Sequence, residues 1–496
     1  MILSNSPALA PLSLLLAAIV IPMVAFRRRW LAFPIALCAS AFATGISVVN
    51  LVRVLSEGVI HYHFGGWIPP IGIEYVLDPL SAFVTLVVNA VSLLVLVHAH
   101  RSVAAELPDR SMPYYAVVML MLTGFNGIIL TGDFFNLYVF LEISSLALYG
   151  MIAVGNKKSP VAAFRYLIMG TVGGSFYLLG VGFVYMTTGS LNMADIAKIA
   201  PTLYHQPALV AALGLMVVGL GIKMAIFPLH GWLPDAYTYA PSASSALIAP
   251  VGAKVGVYAI IRVIFYVFGV DFVRHSLPLT DILAWLGAIA IVYGSVLAIA
   301  QKEMKRMLAY SSVAQIGYIG LGIGLANPYG IIGAVLHVMN HALMKACLFL
   351  VAGNFRLKLG HSTIPRLDHR VRKRMPWTTA AFTVGALSMV GVPPTVGFFS
   401  KWYLALGTIQ NGRWLFLAAL LVSSLLNAVY FFRVLEKVYM KPLEGDVPDD
   451  GDTALAEAPG SMLIPTLVLG IALLLLGLFN AVIVTGIITR IVPPGM

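Results

Sequence analysis

Charge is what this sequence has least of. Only 10% of its 496 residues are Asp, Glu, Lys or Arg, where a soluble protein of this size would carry roughly 25%. With 60% hydrophobic residues and a mean hydropathy of +0.92, that scarcity excludes a soluble globular fold. It also leaves too little polar sequence for a separate soluble domain. Cysteine is scarce as well. Cys38 and Cys347 both lie in apolar stretches, which excludes a disulfide framework and offers no metal spacing. No cofactor box is present, so neither cofactor nor metal is expected; redox energy, if it drives the protein, must come from another subunit. Acidic residues are outnumbered, 20 against 31 basic, for a formal net charge of +11. The basic residues are dispersed among loops between apolar runs, so membrane topology accounts for them better than a nucleic-acid partner.

What is present is apolar sequence in lengths that suit a bilayer, which needs roughly 20 residues per helical span. Fourteen candidate spans follow: about 8–26, 31–55, 76–98, 112–131, 133–154, 162–187, 208–238, 243–269, 279–300, 304–325, 328–354, 376–404, 413–438 and 462–488. The first is followed, not preceded, by Arg27, Arg28 and Arg29, so it reads as an uncleaved helix rather than a signal sequence. Basic residues concentrate after odd-numbered spans, culminating in the run from Arg356 to Arg374. The positive-inside rule then places both termini on the exterior or periplasmic side. An acidic linker at 442–461 precedes the last span, and like the basic run it reads as a solvated connector or a docking segment for partner subunits.

Prolines interrupt two spans: Pro228 and Pro234 in the seventh, Pro393 and Pro394 in the twelfth. Proline removes a backbone donor and breaks a helix. The two breaks are five spans apart, an odd number, so a five-helix unit must be inserted upside down relative to its copy. The expected fold is an all-α polytopic membrane protein with about 14 transmembrane helices and two inverted five-helix repeats, spans 4–8 and 9–13, each with a discontinuous helix. The expected divisions are a three-helix segment at 1–110, a first repeat at 111–270, an inverted second repeat at 271–441, and linker plus final helix at 442–496.

Charge inside a span is costly and therefore a functional hypothesis. Glu142, Lys223, Lys254, His337, His341, Lys345 and Lys401 lie deep in apolar runs. Glu142 has no charged neighbour in sequence and needs a cation from another helix; Lys223, beside the first break, is the candidate. Burial favours the neutral form of each group while mutual attraction favours the charged forms, so opening or closing the pair would move a proton. A static buried salt bridge is the plainer alternative. His337, His341 and Lys345 are spaced i, i+4, i+8 and share one helix face, which suits a proton relay. The same two histidines make a weak metal site, since no carboxylate or thiolate joins them and Lys345 would repel a cation. Lys401 follows the second break, and Lys254 would bridge the two halves. Arg262 is expected to snorkel to a helix end, and Asp78 to cap the third span.

The chain resembles the antiporter-like membrane subunits shared by Mrp-type Na⁺/H⁺ antiporters, respiratory complex I and membrane-bound hydrogenases. The matching stretches are Gly-Gly-Trp-Ile-Pro-Pro-Ile-Gly-Ile-Glu (65–74), Leu-Asp-Pro-Leu-Ser-Ala-Phe (77–83), Phe-Leu-Glu (140–142) and Phe-Pro-Leu-His-Gly-Trp-Leu-Pro-Asp-Ala (227–236). They continue with Lys-Val-Gly-Val-Tyr (254–258), Lys-Arg-Met-Leu-Ala-Tyr-Ser-Ser-Val-Ala-Gln-Ile-Gly-Tyr (305–318), Asn-His-Ala-Leu-Met-Lys-Ala (340–346) and Gly-Val-Pro-Pro-Thr-Val-Gly-Phe-Phe-Ser-Lys (391–401). The Gly-Gly-Trp opening and the length resemble the D-type subunit of Mrp antiporters, whereas Trp-Leu-Pro-Asp-Ala-Tyr-Thr-Tyr-Ala-Pro (232–241) is closer to the complex I and hydrogenase form. The resemblance implies proton transfer along the membrane axis, with Glu142 and Lys223 as coupling pair, Lys254 as connecting lysine and Lys401 as terminal proton-handling lysine. It also implies other membrane subunits as partners, in a bacterial or archaeal cell membrane. The leading expectation is the proton-translocating subunit of a cation (Na⁺)/H⁺ antiporter. The alternative is the proton-pumping subunit of a redox complex, and an inert membrane scaffold is disfavoured by the buried charges.

Overall fold

The computed structural model describes residues 4–275, 278–440 and 456–496. In lipid every backbone polar group must be satisfied internally, and this chain does so almost wholly as helix. α1 (Ser6–Ala25) and α2 (Ala32–Glu57) lead to an antiparallel hairpin, β1 (Ile60–His63) with β2 (Glu74–Leu77), in which Ile60 faces Leu77 and His63 faces Glu74. Next come α3 (Pro79–Glu106), α4 (Ser111–Leu130), α5 (Phe134–Ala153), α6 (Ser159–Thr188) and the short α7 (Met193–Ile199). α8 (Pro207–Met224) and α9 (Leu233–Tyr239) form the seventh crossing. The eighth is α10 (Ser242–Leu247) and α11 (Ala253–Ile261), joined by one π-helical turn and followed by another at Arg262–Val267. After α12 (Val270–His275) follow α13 (Leu279–Ile299), α14 (Met304–Leu325), α15 (Pro328–Leu359) and α16 (His369–Arg374). α17 (Pro376–Val390), α18 (Val396–Gln410), α19 (Trp414–Tyr439), α20 (Gly460–Leu478) and α21 (Asn480–Gly486) complete the fold.

Thirteen stretches among the described residues are long and apolar enough to cross a membrane. The remaining crossing is shared by α17 and α18, each 15 residues long and so about 23 Å, short of the roughly 30 Å hydrocarbon core. Together they complete the fourteen expected spans.

Two faces can be told apart. On one, Asn50 donates to the Ser6 carbonyl at 3.3 Å and Arg490 to the Leu55 carbonyl at 2.7 Å, gathering the first and last helices around the hairpin. On the other, the Ser242 amide donates to Glu106 at 3.1 Å, and Asp235 pairs with Arg165 and Arg306 at 2.6 and 3.2 Å. α4 starts at this second, basic face and ends beside the hairpin, where Thr131 bridges to Tyr75. α13 runs the other way, starting where Asp281 meets Arg413. Each opens a five-helix unit with the same packing: α4 on α5, α5 on α6, α6 on α8, and α11 closing onto α8 and α4; then α13 on α14, α14 on α15, α15 on α17 and α18, and α19 closing onto α17, α18 and α13. The repeats are inverted.

Burial is uneven in an informative way. The spans Ser242–Val267, Met304–Leu325 and Pro328–Leu359 are each 94% buried over their most apolar window, against 39% for α6 and α20. Two of these enclosed three carry Lys254, His337, His341 and Lys345, and the third, α14, lies against them. α1, α6, α19 and α20 instead present large apolar side chains outward, among them Ile19, Phe164, Leu425 and Ile471. On the basic face, Asp368 caps α16, which packs against α19, and Glu457 accepts from the amides of Trp377 and Thr378 at 3.0 and 3.3 Å. Residues 441–455, most of the expected acidic linker, lie outside the described residues.

Candidate functional site

The site is strung along the centre of the fold and begins at the first break. α8 ends at Met224 because Ala225 turns left-handed, at φ 59°, a conformation that costs an L-residue roughly 1–2 kcal/mol. Pro228 supplies no amide donor to rebuild the turn. The indole of Trp232 instead donates to the Ile222 carbonyl at 2.9 Å, helping to satisfy a helix end at membrane depth. Lys223 lies one residue before that end and is buried. Its ammonium donates to the Ser145 hydroxyl and, at 3.4 Å, to the Tyr149 hydroxyl. It sits 5.8 Å from the centroids of both Tyr149 and Tyr166, a cation–π arrangement. Tyr166 is itself stacked on Trp232 at 3.8 Å.

Glu142 is half-buried one turn before Ser145 on α5. Glu142 and Lys223 make no N–O contact within 4.0 Å among the described residues, so the static salt bridge weighed as the plainer alternative is not formed. Ser145 and Tyr149, which bind the Lys223 ammonium, follow Glu142 at i+3 and i+7 on one face of α5. Room for the carboxylate comes from α6, where a Cβ on Gly174 would collide with Glu142 Oε1 and one on Gly170 with the Tyr149 hydroxyl. Gly174→Ala is therefore expected to displace the Glu142 carboxylate and slow proton transfer about tenfold or more with little change in expression. A pH-dye flux assay in proteoliposomes checks this, and wild-type flux would refute it.

Beyond Lys223, a cavity of about 20 Å³ is lined by Ser145, Tyr166, Lys223, Gly252 and Gly256, enough for about one water molecule. Lys254 is fully buried on the same span as Gly252 and Gly256, which line this cavity. The π-helical turn Ile248–Gly252, which contains Pro250, leaves the Ala249 carbonyl open, and Lys254 donates to it at 2.7 Å. That turn packs on α15, the central helix.

α15 brings the expected stripe together. Lys345 donates to the Leu308 carbonyl at 2.7 Å and to the Ser311 hydroxyl. His341 is fully buried, and neither of its ring nitrogens has a hydrogen-bond partner among the described residues. Its ring stacks 6.0 Å from that of His337. His337 reaches Ser400 through Nδ1 at 2.8 Å and Gln315 through Nε2 at 2.9 Å. Ser400 is the neighbour in sequence of Lys401, whose ammonium donates to the Met389 and Val390 carbonyls at 2.8 and 2.9 Å. Those are the last carbonyls of α17, freed where Gly391 turns left-handed ahead of Pro393 and Pro394. A cation there also meets the negative end of the helix dipole.

The structure thus places Lys254, Lys345, His341, His337 and the half-buried Lys401 on one polar axis, with Lys223 and, at its edge, Glu142 at the first helix break. Ser145, Tyr149, Tyr166, Gln315 and Ser400 join it from outside the expected set. Ser145 and Tyr149 carry a usable signal in their spacing from Glu142; Gln315 is marked only by lying within the matching stretch 305–318. Arg262 does not snorkel. It forms a buried bidentate pair with Asp78 at 2.6 and 2.8 Å, while Asp78 also caps α3 through Ser81 at 2.8 Å. Burial pushes the Asp78 carboxyl up, but the Arg262 guanidinium and the Ser81 bonds outweigh it and hold its pKa below the usual value.

The chain is similar to several known membrane proteins. The family described as "NADH:quinone oxidoreductase/Mrp antiporter, TM" matches residues 131–427. The N-type subunit of the NADH-quinone oxidoreductase of Desulforudis audaxviator is 46% identical over 471 residues, covering 91% of this chain and 93% of that protein. The D-type subunit of the Na(+)/H(+) antiporter of Bacillus subtilis is 33% identical over 399 residues, covering 80% of this chain and 79% of that one. A chain of the archaeal membrane-bound sulfane sulfur reductase superposes with a TM-score of 0.89 at 31% identity, covering 98% of both.

Proposed function

The chain belongs to the NADH:quinone oxidoreductase/Mrp antiporter transmembrane family, and from that premise we propose that it is the proton-translocating subunit of a multisubunit membrane complex. The observation that carries this reading is the buried file of titratable groups from Lys223 to Lys401, running through the most enclosed spans and anchored at two helix breaks. Ionisable groups at membrane depth that are hydrogen-bonded to hydroxyls and free carbonyls, rather than locked in ion pairs, can exchange protons. Protons pass between Glu142, Lys223, Lys254, the His341–His337–Lys345 stripe and Lys401, and opening or closing of the broken helices gates them. The partners are other membrane subunits.

Two energy sources fit. Redox-driven pumping is favoured by the 46% identity to a quinone oxidoreductase subunit. Cation/proton antiport, the leading expectation from sequence, is supported by the 33% identity to an Na(+)/H(+) antiporter subunit. The complex containing this chain, reconstituted in proteoliposomes with a pH dye, separates them. Proton movement driven by a Na⁺ gradient without an electron donor means antiport; movement only during electron transfer means a redox pump. Proton movement that survives both Lys223→Ala and Glu142→Ala would sink the proton-translocation reading.

A further inference from the structure

The polar axis passes from helix to helix through the bundle, and protons on it must reach water somewhere. On the hairpin face, Glu74 is buried, with its side chain 4% exposed. Its Oε2 meets His61 Nδ1 at 3.0 Å and His63 Nε2 at 3.4 Å, and its Oε1 accepts from Asn192 at 2.7 Å. His61 and His63 are two apart on β1, so both project from one side of the hairpin. Their side chains are 47% and 36% exposed, open to the medium.

Behind His61 a cavity of about 140 Å³ runs inward, lined by Thr131, Gly132, Tyr258, Arg262 and Tyr266. Arg262 alone would repel a proton, but its bidentate pairing with Asp78 leaves the cavity end neutral overall. Arg262 Nε also donates to the Tyr258 hydroxyl at 3.1 Å. Lys254, Tyr258 and Arg262 are spaced i, i+4, i+8 along one span, so they share a face over a rise of about 12 Å. The cavity and this stripe together join the exposed histidines to the lysine at the middle of the axis. The other charged groups on the surrounding elements, among the described residues, include Asp133 at the start of α5, Asp195 and Lys198 on α7, Asp271 on α12, and Arg490 beside Ile491, whose carbonyl accepts from Tyr266 at 2.5 Å.

We propose that His61, His63 and Glu74 form a proton-exchange port at the hairpin face, connected through the cavity and Tyr258 to Lys254. The proposal rests on the proton-translocation reading above. Only N–H and O–H bonds change: an imidazolium releases one proton and becomes neutral, the inner acceptor gains it, and the reverse holds for release to the medium.

Proton flux in proteoliposomes bearing the intact complex tests the port, with wild type, H61Q/H63Q and K223A compared side by side. Glutamine can still donate to Glu74 but cannot titrate. The double variant should keep the wild-type melting temperature and lose about tenfold or more in flux, and imidazole added to the medium on the hairpin side should restore it. Unchanged flux in H61Q/H63Q, with K223A inactive, overturns the port alone. A loss that imidazole does not restore assigns the histidines to pinning the hairpin and also overturns it. Flux retained in K223A instead removes the reading beneath. If the double variant does not accumulate, H61Q, which keeps His63 on Glu74, carries the test: flux that is unchanged or not rescued overturns the port.

Discussion

Lys223→Ala is expected to slow proton transfer through the complex by about 10²–10⁴-fold, the range lost when a positioned acid–base group is removed. Lys223 lines the small cavity beside Ser145 and Tyr166 and lies one residue before the end of α8, at the first helix break. Alanine would leave Ser145 and Tyr149 hydrogen-bonding to each other or to water, so assembly should survive while conduction fails. Lys223→Arg sharpens the test. A guanidinium keeps the charge and the contacts with Tyr149 and Tyr166, yet it does not give up its proton in a protein. The arginine variant should therefore be nearly as slow as the alanine one. A fully active arginine variant would mean that Lys223 supplies only fixed charge.

The largest stability effect is expected at a pair outside the axis. Asp78→Asn leaves the Arg262 guanidinium buried without its counter-charge, which costs about 3–5 kcal/mol. Asparagine is as good an N-cap as aspartate, so the cap on α3 through Ser81 should persist and the loss should report the ion pair. Its dependence on pH follows from the lowered Asp78 pKa. A carboxyl whose folded value lies below its unfolded one stabilises the protein fully above the ordinary carboxylate range, near pH 4, and loses that contribution as pH falls through the folded value. The gap in melting temperature between wild type and Asp78→Asn should thus be constant from pH 8 to about 5 and shrink in stronger acid. A gap that closes between pH 7 and 6 would show that some other group holds Arg262.

How far the sequence can be read follows from the range of the interactions involved. Pro228 and Pro393–Pro394 announce the two breaks because proline acts on its own helix. The i, i+4, i+8 spacing puts His337, His341 and Lys345 on one face for the same local reason. Partners across the bundle are not legible. Arg262 lies 184 residues from Asp78, and nothing near either residue names the other. Lys223 and Glu142 fall together as charges, but the hydroxyls of Ser145 and Tyr149 that hold the ammonium show in the sequence only through their spacing from Glu142. The carbonyls that hold Lys254 and Lys401 depend on a π-helical turn and on a helix end, backbone features that side-chain patterning cannot show. Residues 65–74 of the hairpin read as a family signature, while the cluster of His61, His63 and Glu74 forms only once the strands are paired in register.

The enclosed centre also bears on how the protein is made. α1, α2, α13 and α20 are among the most apolar spans, and large apolar side chains on them face outward, so each can partition into lipid as it leaves the ribosome. The spans that carry the axis are less apolar, and each buried lysine adds about 2.5–3.5 kcal/mol to insertion at a helix centre. These helices gain a favourable environment only when outer helices already shield them. The chain must therefore hold α14 and α15 at the insertion machinery until their neighbours have accumulated, which makes biogenesis of this protein a delayed and collective event.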